Sequence, residues 1–179
     1  MSVQGLWAAP YLRDVAKLEH ADIAQYLFAM AFAMFAGQLL SGTVATALAK
    51  RGFAPSKLFA ANAMLILVVW SVIAMQWFPR SLIAWMVVGF CGSASSISYS
   101  ILTPAFPQAL SGRVSTAINL LVFVFAFFMQ WAMGAVINLW PATANGYATQ
   151  GYQAAFVVCW LLQAFSLASY VMLARKYKL

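Results

Sequence analysis

Asn119 and Gln130 lie in one long apolar stretch, and at about 100° per residue they share a narrow arc with Ala126 and Gly134. A second stretch places Trp85, Gly89, Gly92, Ser96, Tyr99 and Thr103 on one arc, and a third carries Gln38 near its middle. Amide and hydroxyl side chains at such positions face other helices or a wet cavity. They can hydrogen-bond an uncharged polar solute. They can equally bond a neighbouring helix, for roughly 0.6 kcal/mol each. For any one residue the second reading is the simpler. Together, Gln38, Ser96, Asn119 and Gln130 form a candidate set of hydrogen-bonding groups along a solute path, with Trp85 and Tyr99 shaping its wall.

Other chemistries find few residues to work with. The only acids are Asp14, Glu19 and Asp22, and none follows Ile23. No Asp, Glu, Lys, Arg or His falls inside an apolar stretch, so the chain has no intramembrane ionisable relay of the kind proton-coupled carriers use. Glu19, His20 and Asp22 read better as a helix entry with a capping acid than as a metal site, since the chain has a single His. Cys91 and Cys159 lie in apolar stretches and read as small packed side chains. There is no G-x-S-x-G, no H-E-x-x-H and no phosphate-binding loop, so neither an enzyme nor a metal or organic cofactor is expected. A channel would show a filter or a charged ring, and neither is present.

The elements that must position these residues follow from composition. Of 179 residues, 65% are hydrophobic and 7% charged, against roughly 25% charged in a soluble domain. A water-soluble globule and a disordered chain are both excluded. The apolar stretches are long and continuous, which fits helices rather than the alternating segments of a barrel. The expected fold is all-α, a polytopic membrane bundle of about five transmembrane helices. The spans are read as Ile23 to Ala49, Leu58 to Trp77, Leu82 to Thr103, Thr116 to Trp140 and Gln153 to Ala174. Residues 1–22 precede them, either as an interfacial segment or as the end of a preceding helix with its loop, and 23–179 form the bundle. Met1 to Leu12 lacks the basic start of a cleavable signal peptide.

Local signals mark the joins. Asp22 and Gln25 form a capping box for the first span, Ser56 caps the second and Ser81 the third. Pro104 and Pro107 stop the third, and Asn145-Gly146 marks a turn. Small residues four apart (Ala33, Gly37, Ser41, Ala45, Ala49) and a second set (Gly92, Ser96 and Ser100, beside Gly89 and Ser93) predict close helix packing. The net charge of +7 comes from cations set singly or in short clusters between apolar stretches, not from a nucleic-acid-binding face. Lys50, Arg51, Lys57, Arg113, Arg175, Lys176 and Lys178 fall on one side of the membrane, and Arg13, Lys17 and Arg80 on the other. The side richer in Lys and Arg is cytoplasmic, which places the N-terminus outside and the C-terminus inside.

Several stretches resemble bacterial major facilitator superfamily transporters. Gln4-Gly-Leu-Trp-Ala-Ala-Pro-Tyr-Leu-Arg-Asp14 resembles the end of the seventh helix and the loop after it. Gly42-Thr-Val-Ala-Thr-Ala-Leu-Ala-Lys-Arg-Gly52 resembles the second copy of the family's cytoplasmic loop signature, with Thr46 near the position of the family's acid. Phe106-Pro107, Leu110-Ser-Gly-Arg113 and Thr116-Ala-Ile-Asn119 resemble the join of the tenth and eleventh helices, continued by Gln130 and Gly134.

The resemblance implies that the five spans correspond to helices eight to twelve of a twelve-helix secondary carrier, a permease of the bacterial inner membrane. Two six-helix halves of such a carrier rock about a central site. The chain would then move a small solute only with an N-terminal half, a partner or a second copy. The alternative function is a five-span interaction or assembly subunit without transport, whose small-residue ladders would bind a partner helix.

Overall fold

The computed structural model describes residues 3–93, 99, 102–103, 106–143 and 146–177. Among them the chain is all-helical and has no strand. A π-helical turn at Val3–Trp7 runs into α1 (Ala8–Asp14). There follow α2 (His20–Lys50), α3 (Pro55–Ala74) and α4 (Leu82–Gly92). A 3-10 turn at Gln108–Leu110 leads into α5 (Ser111–Ile137), and α6 (Thr149–Tyr177) ends the described chain. Four of these, α2, α3, α5 and α6, are long and apolar enough to cross a membrane. Helices of this kind mark an integral membrane protein.

Backbone chemistry at the joins corrects two of the expected caps. Asp22 does not open α2. The helix starts earlier, after Glu19 in extended conformation, and Asp22 lies in its first turn. There its charge complements the positive end of the helix dipole instead of capping it. Ser56 does not cap α3 either, because Pro55 with its preset φ takes the first helical position and Ala54 becomes the N-cap. Ser81 does cap α4, its side chain accepting a hydrogen bond from the Ala84 N–H at 3.2 Å.

α2 ends where Gly52 takes a positive φ of 82°. Its N–H bonds the Ala49 carbonyl and the Phe53 N–H bonds the Leu48 carbonyl, each at 3.0 Å, the paired closure of a Schellman cap. α3 closes in the same way with a side-chain-bearing residue, Gln76, at φ 56°. That closure leaves Trp77, expected in the second span, beyond the helix. Pro107 precedes the 3-10 turn that enters α5, while Pro104 lies outside the described residues. The turn expected at Asn145-Gly146 closes through paired backbone bonds between Thr143 and Gly146; Asn145 lies outside the described residues.

α2 and α4 form the most extensive helix pair. The reason is steric. A Cβ at Gly89 would lie 2.6 Å from the Met30 carbonyl oxygen, and one at Gly37 would lie 2.5 Å from that of Phe90. Only glycine lets the two backbones approach so closely. Of the expected ladder on α2, Ala33 and Gly37 are buried, whereas Ala49 is exposed. The packed core therefore sits at one end of the bundle, where α1, the end of α3, the start of α4, the end of α5 and the start of α6 meet. Trp7, Tyr11, Trp70, Trp85, Tyr152 and Phe156 fill it.

Candidate functional site

The residues expected along a solute path fall into separate places. Tyr99 and Asn119 come together: the Tyr99 hydroxyl donates a hydrogen bond to Asn119 Oδ1, linking Tyr99 to the N-terminal half of α5. Asn119 is otherwise exposed. Gln130 stands three turns further along α5, about 16 Å away at 1.5 Å per residue. It is half-buried, and its backbone carbonyl accepts a hydrogen bond from Trp7 Nε1 at 3.2 Å. Gly134 permits that approach, since a Cβ there would lie 3.1 Å from the Trp7 ring. The arc predicted on α5 thus meets Trp7 at Gln130 and Gly134 and Tyr99 at Asn119.

Gln38 and Trp85 do not join them. Gln38 is exposed on α2, and its side chain makes no hydrogen bond among the described residues. Trp85 is fully buried in the aromatic core, edge-on to Tyr11 at 5.4 Å and to Trp70 at 6.3 Å between ring centroids. Its place is in the packing of the aromatic core, and it makes no ring contact or hydrogen bond with Tyr99 or Asn119 among the described residues. Ser96 lies outside the described residues.

Sequence reasoning missed the most highly organised polar group in the molecule. Asp14, expected at the solvated outer interface, is 3% exposed at the end of α1. Its Oδ1 accepts from Arg13 Nε at 2.6 Å. Its Oδ2 accepts from Tyr152 Oη at 2.8 Å, from the Tyr147 N–H at 3.0 Å and from Arg13 Nη2 at 3.2 Å. Gly146 lies so close that a Cβ there would fall within 2.6 Å of both carboxylate oxygens. Burial pushes the Asp14 carboxyl up, but the Arg13 guanidinium and the hydrogen bonds from Tyr147 and Tyr152 outweigh it and hold it below the usual carboxylate range. The available signal was an acid beside Trp7 and Tyr11 in a chain with almost no other acids.

No family model, curated protein or solved structure matches this chain.

Two chemistries are open to the arrangement. The Asp14 cluster is saturated with donors, so it ties α1, the loop before α6 and α6 itself into one unit. The Tyr99–Asn119 pair keeps the Asn119 amide nitrogen as a donor and the Tyr99 oxygen as an acceptor. It is suited to an uncharged solute with hydroxyl or amide groups. Among the described residues no three His, Cys, Asp or Glu side chains gather where a metal could be held.

Proposed function

We propose that the chain is one half of a secondary carrier for a small uncharged polar solute, with helices corresponding to the eighth to twelfth of a major facilitator transporter. The observation that carries this reading is the Tyr99–Asn119 hydrogen bond. Two side chains singled out as path-lining groups, on different segments, meet with spare hydrogen-bonding capacity. The absence of Asp, Glu, Lys, Arg and His from the four apolar helices between their ends favours an uncharged solute. In this reading α4 belongs to a fifth crossing. The N-terminal side faces outward, and the loops bearing Lys50, Arg51 and Lys57 face the cytoplasm of a bacterial inner membrane. A second six-helix half, from the same polypeptide, a partner or another copy, completes the cavity.

Asn119→Leu and Gln130→Leu in the assembled carrier test this reading. Because the two amides lie about 16 Å apart along α5, one small solute contacts one of them at a time. Asn119→Leu should lower uptake at least tenfold while shifting the melting temperature little. Gln130→Leu should change the rate more than the affinity. Unchanged uptake with both variants overturns the assignment. A stoichiometric membrane partner, with no solute raising thermal stability, would favour an assembly subunit instead.

A further inference from the structure

Between the end of α1 and the α3–α4 loop lies an open groove of about 580 Å³, lined by Val15, Ala16, Lys17, Trp77, Phe78, Pro79, Arg80 and Ser81. It borders the loop that follows α3, a helix long and apolar enough to cross a membrane, a position that would bring it near the membrane surface. Among the described residues its two cations have no acidic partner. The only ion pair among the described residues is Arg13–Asp14, and Glu19 and Asp22 are exposed without reaching Lys17 or Arg80.

Arg80 is also held in place. Its Nε donates to the Ala16 carbonyl at 2.8 Å and its Nη2 to the Lys17 carbonyl at 3.3 Å, while its own carbonyl accepts from Tyr26 Oη at 2.6 Å. A guanidinium has five N–H donors, so three remain after these two bonds. Lys17, an exposed cation, lines the same groove. Trp77 and Phe78 are 66% and 68% exposed at the same groove, and aromatic rings are favoured at the depth of lipid headgroups.

We propose that this groove binds the phosphate of an anionic phospholipid between Arg80 and Lys17, with the lipid's acyl chains lying along Trp77 and Phe78. The charges suit a phosphate and the apolar wall suits a chain attached to it. A soluble phosphate would use the first feature and leave the second uncovered. The assignment is independent of the transport reading.

The test is fluorescence quenching of the full chain in nonionic detergent by phosphatidylglycerol or phosphatidylcholine brominated near the headgroup end of the chains. Trp77→Phe identifies the Trp77 component. Phosphatidylglycerol should quench that component at several-fold lower mole fraction than phosphatidylcholine. Lys17→Gln should raise the phosphatidylglycerol midpoint about fivefold, the effect of one cation at an anionic surface, and Lys17→Arg should restore it. Glutamine tolerates the positive φ of 52° at position 17, as Gln76 does at 56°, and the Lys17 side chain makes no hydrogen bond or ion pair among the described residues, so folding is not at stake. Equal midpoints for the two lipids, or no effect of Lys17→Gln, overturn the proposal. Displacement by millimolar glycerol 3-phosphate overturns the lipid and leaves a soluble-phosphate site.

Discussion

Asp14 and Tyr152 stand 138 positions apart in sequence and 2.8 Å apart in space, the tyrosine hydroxyl donating to a buried carboxylate. The contact joins the first helix of the chain to the last. Hydrogen bonds to a charged group contribute about 1.5–3 kcal/mol. Tyr152→Phe should lower the unfolding free energy by about that much, measured in detergent, with little change in helical content. A loss below about 0.5 kcal/mol would show that the Arg13 and Tyr147 bonds suffice.

The same carboxylate predicts a pH dependence. Its folded pKa is lowered, so the stability it contributes is complete above the unfolded value of about 3.9 and is lost as pH falls through the lower folded value. Asp14→Asn should therefore be less stable than the wild type at neutral pH. The gap should shrink as pH falls below about 4. A gap that stays constant down to the acid end of the profile would show that the charge of Asp14 contributes nothing.

The α2–α4 contact predicts opposite outcomes at two glycines. Gly89→Ala pushes a methyl into the Met30 carbonyl and should destabilise by about 1–3 kcal/mol, the usual cost of overpacking. Gly42→Ala faces open space on the same helix α2 and should be neutral or stabilising by up to about 1 kcal/mol. Equal melting temperatures for the two variants would contradict the close approach.

Two serines that look alike in sequence should also differ. Ser81→Ala removes the bonded cap of α4 and should cost about 1 kcal/mol. Ser56→Ala, inside α3 behind Pro55 and Ala54, should change stability by less than about 0.5 kcal/mol.

Topology can be read with cysteine. Phe53, just before α3, and Leu139, just beyond the end of α5, are both exposed and lie at opposite ends of the bundle. If the side rich in Lys and Arg is cytoplasmic, a membrane-impermeant maleimide should label Leu139→Cys in intact cells and Phe53→Cys only in inverted vesicles. The reverse pattern would invert the proposed orientation.

Membrane class and helical architecture were legible because they depend on totals and continuous stretches, which no tertiary contact can rearrange. The Ser81 cap and the Gly146 turn were legible because they are settled within a few neighbouring residues. The expected start of α2 was displaced because Glu19 adopts extended backbone after the turn at Lys17. The expected start of α3 was displaced because Pro55 is already set for a helix. Helical periodicity also selected Gly37 and Gly89, which fit the close crossing of α2 and α4.

Periodicity ranks faces but not neighbours, and this separates what the sequence determined from what tertiary structure decided. The 100° arc put Trp85 and Tyr99 together, yet Trp85 packs against Tyr11 and Trp70 while Tyr99 bonds Asn119. By itself the sequence determined an apolar, helical, membrane-embedded chain with its acids confined to one short segment. Only the tertiary structure decided that one of those acids, Asp14, is buried. Beside the neighbouring Arg13, the donors that compensate its desolvation are the Tyr147 N–H and the Tyr152 hydroxyl, more than a hundred residues away, and no local pattern can announce partners that distant.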